Sequence, residues 1–431
     1  MRTRSVLSLI LIFACFFHSC KKKEAYIEPV IEIISPEINS TYNLPDKMLV
    51  ELKVNAQHEI KFIRTNIENS NYVPIFTPGF YYPENGDVEI AFTIDMDNIS
   101  ENDSPPFYLH IAVDDGIKLT HEYLEINLIN APLKYLGLNL ITYSDQTRVV
   151  LYDSLHVEIK TINLNGTYVN SDISTADQLF FLTTAAPAKL YAFDQKELEL
   201  KWFNVPEMPF PYYTDLYEDG NYLFVGFGNE RIAAFDGISG IQKIGTQILV
   251  DSIPIKIGAS NSYFVGYFEK RTSEKKAMVS FYLASGATYK KLETYISVVD
   301  FYPADESDVL SVFGNKNDKG ILTSFSIDEN MFGDMIEISE GLITNSCFID
   351  QNLFLISIEN RVYEIVHNTN YIDLKFELPD DLIDIQYDPV NRIVYAAQSD
   401  GIYLYRYPDY ANLGFISSED PVKAIRLYYG Y

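Results

Sequence analysis

Asp420-Pro421-Val422-Lys423-Ala424-Ile425-Arg426-Leu427-Tyr428-Tyr429-Gly430 reads as one strand of a repeat without the rest of its unit. Six earlier segments share its build: a polar or acidic residue, an apolar anchor, a short turn, then a second apolar strand. The anchors align as Ile173, Leu216, Ile257, Phe301, Cys347, Ile385 and Ile425, in steps of 38 to 46 residues with a mean of 42. A period of about 40–45 residues holding about four short strands is that of a β-propeller blade. A lone strand one period after the sixth anchor predicts closure of a ring. It would complete a first blade whose other strands lie near residues 135–163. The anchors fit seven blades, with six and eight left open.

Upstream, Met1-Arg2-Thr3-Arg4 precedes an apolar run from Val6 to Phe17 and then Ser19-Cys20-Lys21-Lys22-Lys23. A basic start and a short apolar stretch ending at a small residue read as a secretory signal. The run is shorter than the ~20 residues of a membrane span. A cysteine at the break followed by charge resembles the lipobox of bacterial lipoproteins, which implies a lipidated Cys20 as the mature N-terminus. Cys15 is a rival, but cutting there would leave Phe16 and Phe17 exposed. The expected segments are a signal peptide over 1–19, a tether over 20–27, a β-sandwich over 28–131 and the propeller over 132–431. Beyond the signal only Cys347 remains, so no intrachain disulfide is expected in the mature chain.

The sandwich follows from alternation. Met48, Val50, Leu52 and Val54 fall on one side of a strand, and Leu49, Glu51 and Lys53 on the other. Further strands are expected at 30–34, 61–67, 87–94, 107–113 and 123–129. Turn signals separate them at Pro83-Glu84-Asn85-Gly86 and Asp114-Asp115-Gly116. Six or seven short strands in about 105 residues suit a sandwich. The layout resembles the Ig-like domains that follow the anchor in Bacteroidetes outer-membrane lipoproteins. No helical periodicity of useful length appears after the signal.

Within the repeats, Leu190-Tyr191-Ala192-Phe193-Asp194 with Trp202 resembles the repeat phrase of quinoprotein-like (BamB/YVTN/WD40-like) propellers. Ile232-Ala233-Ala234-Phe235-Asp236-Gly237-Ile238-Ser239-Gly240 resembles it too. In that phrase the aspartate caps a turn, the glycine takes a positive φ, and the aromatic packs on the next blade. In the earlier unit Glu197 or Leu198 stands where the glycine belongs.

The net charge of −27, from 60 acidic and 33 basic residues, argues against nucleic acid and anionic lipid headgroups as partners. No phosphate loop, nucleophile elbow or metal-spaced histidine pair is present, so no catalytic residue, metal or cofactor is assigned. His110 and His121 could meet across a hairpin, although ordinary strand positions fit them as well. Asp95, Asp97, Glu101 and Asp103 form the densest carboxylate cluster. It lacks the glycine and terminal glutamate of an EF-hand and reads as a solvated loop. Glu269-Lys270-Arg271-Thr272-Ser273-Glu274-Lys275-Lys276 reads as a hairpin tip.

Two candidate sites follow. The residues before the anchors form an acidic column, Asp172, Asp215, Asp300 and Asp384, interleaved with Lys256, Ser346 and Ala424, at one end of the channel. These carboxylates would either collect a cationic group or bond neighbouring backbone N–H groups. The second site is aromatic: Trp202, Phe210, Tyr212 and Tyr213 around a proline-rich connection, and Tyr81 and Tyr82 in the sandwich, suited to sugars or peptides. The expected protein is a non-catalytic, lipid-anchored envelope protein, periplasmic or surface-facing. Its propeller would bind an outer-membrane or periplasmic protein or a glycan. A carbohydrate-active lyase or hydrolase using the channel carboxylates, or an outer-membrane assembly factor, is the alternative.

Overall fold

The computed structural model describes residues 26–431, apart from 77, 84, 85, 97, 98, 100–104, 207–211, 221, 261, 305–307, 351, 368 and 370. Cys15, Cys20 and Phe210 therefore lie outside the described residues, as do Asp97, Glu101 and Asp103. The described elements are all β-strands, and the chain divides into two compact units, Met1–Ala131 and Pro132–Tyr431.

The first unit is two sheets closed on one core. Val30–Ser35, Asp46–Asn55 and Asp87–Met96 form a three-stranded sheet. Thr41–Asn43, Leu119–Ile129, Phe107–Asp114, Phe62–Glu68 and Gly79–Tyr81 form a five-stranded one, in that order. Met48, Val50, Leu52 and Val54 are fully buried against Ile63, Ile67, Leu109, Ile111 and Val113 of the facing sheet. Strand alternation sends these residues inward while Leu49 and Lys53 face out. Each buried aliphatic contributes roughly 1.5–3 kcal/mol. Thr41–Asn43 pairs parallel with 127–129, a link invisible to a periodicity reading because the strand has only three residues.

The second unit is a β-propeller built from seven successive antiparallel sheets. The first strands of the six complete repeats are Thr167–Ser174, Tyr213–Glu218, Ser252–Ala259, Ser297–Pro303, Asn345–Asp350 and Asp384–Asp388. Val422–Gly430 does not start a repeat. It pairs antiparallel with Lys134–Tyr143 and completes the sheet of Lys134–Tyr143, Thr147–Asp153 and Glu158–Leu164. These seven strands touch in a closed cycle, with Val422–Gly430 contacting both Asp384–Asp388 and Thr167–Ser174. One apolar core lies between every neighbouring pair of sheets, seven in all. The C-terminal strand supplies both faces of its sheet. Val422, Ile425 and Leu427 pack toward the Tyr395 sheet, while Ala424 and Tyr428 pack toward the Phe180 sheet.

The turn chemistry is local. Asp194 Oδ1 accepts the backbone N–H groups of Lys196 and Glu197, and Asp236 Oδ1 accepts the backbone N–H and the hydroxyl O–H of Ser239. Gly240 takes φ +67 and its N–H reaches the Asp236 carbonyl. Leu198 makes the matching bond to Asp194 at φ +47, so it is Leu198 that replaces the glycine.

Candidate functional site

A cavity of about 430 Å³ opens at the centre of the ring, lined by residues from all seven cycle-forming strands or their flanks. Asp172, Asp215, Asp300 and Asp384 all line it, together with Lys256, Ser346 and Ala424. A β-bulge aims most of them. Five of the strands shift register between 168 and 170, 213 and 215, 254 and 256, 298 and 300, and 422 and 424. The residue after each bulge is Asn170, Asp215, Lys256, Asp300 or Ala424. Asn170, not Asp172, therefore holds the register of Asp215, and Asp172 sits two residues further along the same face.

The carboxylates act as staples between adjacent strands. Asp215 Oδ2 accepts the N–H of Ile257 at 2.8 Å, and its Oδ1 accepts from Asn170 Nδ2 at 2.5 Å, so one side chain joins three consecutive strands. Asp172 Oδ2 accepts the N–H of Glu218 at 2.8 Å and its Oδ1 that of Ile173 at 2.9 Å. Asp384 Oδ2 accepts the N–H of Ile425 at 2.9 Å. The bonds from Glu218, Ile257 and Ile425 each satisfy a backbone donor at a seam between sheets.

Two of the cations lining the cavity pair with this acidic ring. Lys256 Nζ donates to Asp300 Oδ1 at 3.2 Å, and Ser346 Oγ donates to Asp300 Oδ2 at 3.1 Å. Arg426 Nη1 donates to Asp384 Oδ2 at 2.8 Å, while its Nε donates to the Ser171 carbonyl at 2.8 Å. Arg426 on the closing strand thus ties the last complete repeat to the first one. Burial opposes the charge on Lys256 and Arg426, but carboxylates outweigh it: Asp300 and Asp215 raise the Lys256 ammonium, and Asp384 raises the Arg426 guanidinium. Asp215 goes the other way. Burial pushes its carboxyl up to about 7 against the pull of Lys256 and the Ile257 amide. Burial also raises Asp172 and the Cys347 thiol. Sequence reasoning passed over Arg426, although it lies two residues beyond Ala424 and hence on the same strand face. It also passed over Lys423, Tyr168 and Tyr302, which line the cavity, and Asn170, which donates to Asp215.

The aromatic candidates do not form one site. Trp202 is half-buried; its indole N–H donates to the Gly237 carbonyl at 2.8 Å and its ring lies 6.0 Å from Phe181, so it fastens one sheet to the next. Tyr213 is buried against Phe227, and Tyr212 is half-buried and accepts from Asn229 Nδ2. Tyr81 and Tyr82 are exposed in the other unit. Among the described residues no cluster of three or more His, Cys, Asp or Glu is arranged to hold a metal.

No family model matches the chain, and no curated protein matches it. Among solved structures it is similar to the β-propeller domain of Cps50 (Swd1) from Myceliophteria thermophila. That match has a TM-score of 0.47 at 10% identity and covers 60% of this chain and 89% of that one.

Proposed function

We propose that the chain is a non-catalytic envelope protein whose seven-bladed propeller is a scaffold for a protein partner. An Ig-like first unit would space it from a membrane to which a lipidated Cys20 holds it. The observation that carries the scaffold reading is a cleft across the closure seam with exposed apolar side chains, Leu413 and Phe415, on its wall. It is lined by Tyr152, His156, Leu404, Leu413, Phe415 and Ile416. Beside it stand Leu155, 80% exposed, and Val157, 58% exposed, on either side of His156. Exposed apolar side chains gathered around one cleft mark interaction sites. The anchor rests on the lipobox-like Ser19-Cys20-Lys21 alone.

The channel supports the same reading from another side, because its carboxylates hold strands together. One observation favours the rival hydrolase or lyase reading: Asp215, with a carboxyl at about 7, has the proton affinity of a general acid. Against that, Asp215 is 3% exposed and both its oxygens are engaged.

The test is pull-down of the detergent-extracted lipoprotein from its native envelope, followed by Phe415→Asp and Leu155→Asp. A stoichiometric protein partner lost in both variants, with unchanged melting, supports the scaffold. Turnover of an envelope glycan that Asp215→Asn abolishes would replace it with the enzyme. Lipidation is checked by the mass of the mature N-terminal peptide and its loss in Cys20→Ala.

A further inference from the structure

The five-stranded sheet of the first unit turns one face to the core, and its other face concentrates chemistry that the scaffold reading does not use. Register aligns two adjacent rows there. Phe80 lies opposite Arg64, Arg64 opposite Ala112, and Ala112 opposite His121. In the next row Asn66 lies opposite His110 and His110 opposite Tyr123.

Beneath the second row runs a buried polar chain. Glu68 Oε1 accepts from Asn66 Nδ2 at 2.6 Å and pairs with His110 Nδ1 at 2.6 Å. His110 Nε2 in turn pairs with His121 Nδ1 at 2.8 Å. Because a carboxylate only accepts, the Asn66 amide must present its nitrogen to Glu68. That turns Asn66 Oδ1 the other way, toward the Arg64 row. Asn66 is 2% exposed, and this oxygen has no hydrogen-bond partner. Arg64 Nε is also buried and unpartnered, and its guanidinium has neither ion pair nor hydrogen bond among the described residues. An orphan donor and an orphan acceptor in adjacent rows call for a group that both accepts and donates, which is the behaviour of a hydroxyl. The unpaired guanidinium calls for a carboxylate.

Exposed rings frame these groups: Tyr72 at 60%, Phe80 at 55% and Tyr123 at 42%. Tyr72 stacks on Tyr108 at 5.7 Å and meets Tyr123 edge-on at 5.7 Å, and Tyr123 lies parallel to His110 at 4.3 Å. The rings hold one another in place, so little side-chain entropy is lost when a flat ligand lies on them.

We propose that this face binds an acidic sugar, a pyranose ring carrying a carboxylate. The carboxylate sits on the outer guanidinium nitrogens of Arg64, a ring hydroxyl accepts from Arg64 Nε and donates to Asn66 Oδ1 beside His121, and the C–H face rests on Tyr72 and Tyr123. The site belongs to the first unit alone, so it survives or fails independently of the protein-scaffold reading.

The experiment is a titration of the mature chain at neutral pH with glucuronate, galacturonate, glucose and N-acetylphenylalanine, followed by calorimetry and by the histidine ring resonances. Uronates should bind and move the His121 signals. Arg64→Gln should weaken them about tenfold with unchanged melting, and Arg64→Lys should fall between. Glucose binding as tightly as the uronates would overturn the carboxylate assignment, and a preference for N-acetylphenylalanine would overturn the sugar. Unshifted histidine signals with all four, or uronate binding indifferent to Arg64, would remove the site.

Discussion

Asp215→Asn is expected to change how the propeller's stability depends on pH. In the fold the Asp215 carboxyl is buried and held near 7, against about 3.9 for an aspartate in an unfolded chain. The folded state therefore binds this proton more tightly than the unfolded one. Its contribution is fully present below about pH 4 and is lost as pH rises through about 7. Roughly three units at about 1.36 kcal/mol each set the full loss at about 4 kcal/mol. Asparagine keeps the shape and cannot ionise, and Asn170 can turn its amide to match it. The difference in unfolding free energy, variant minus wild type, should thus rise by about 4 kcal/mol between pH 4 and pH 8. Most of that rise should fall between 5 and 7. Taking the difference removes the general effect of the chain's charge. Trp202 is the only tryptophan and lies in the propeller, so urea unfolding followed by its fluorescence reports on that unit alone. Parallel pH profiles for the two proteins would show that Asp215 ionises normally in the fold and refute the reasoning.

Other perturbations test the seams. Arg426→Met strands the Asp384 carboxylate and removes the tie to Ser171. It should cost about 3–5 kcal/mol by the same fluorescence assay, and Arg426→Met with Asp384→Asn should recover part of it; a loss under about 1 kcal/mol would mean the bridge is idle. Gly240→Ala places a Cβ 2.6 Å from the Trp202 ring at φ +67; a loss of about 1–3 kcal/mol and a shifted Trp202 emission are expected, and an unmoved emission maximum would be inconsistent with that contact. Leu52→Ala, in the fully buried row of the first unit, should destabilise that unit by about 2–5 kcal/mol and leave the Trp202 transition in place.

Much of the architecture was legible because it is written in local rules. Apolar anchors recur every 42 residues or so, Asp194 and Asp236 cap their turns from within the same few residues, and Met48 to Val54 alternate without a break. The limits of that legibility are equally physical. A β-bulge adds one residue without any compositional mark. The column was therefore aligned on Asp172, whereas Asn170 holds the register of Asp215. Leu198 stands at a left-handed position where a glycine was sought, since its burial offsets the backbone cost. Trp202 and Tyr213 looked like surface aromatics because a sequence does not show the neighbouring sheet that covers them. His110 and His121 stand 11 residues apart and read as unremarkable strand positions. Only the register of the hairpin brings them to 2.8 Å and places Glu68, 42 residues away, behind them. The acidic column was legible as a gathering of charge that included Lys256, but Arg426 was not, because the sequence does not show that its guanidinium spans from Asp384 to the Ser171 carbonyl.

Ring closure by that strand is the central claim, and removal of residues 421–431 tests it most directly. The deletion takes the innermost strand from the sheet of Lys134–Tyr143, uncovers Leu138, Leu140 and Ile141, and leaves a long unpaired edge of the kind that drives association. Size-exclusion chromatography with light scattering, together with urea unfolding read at Trp202, should show oligomers or a broadened transition at lower urea. A monomer with the midpoint and cooperativity of the full chain would contradict closure.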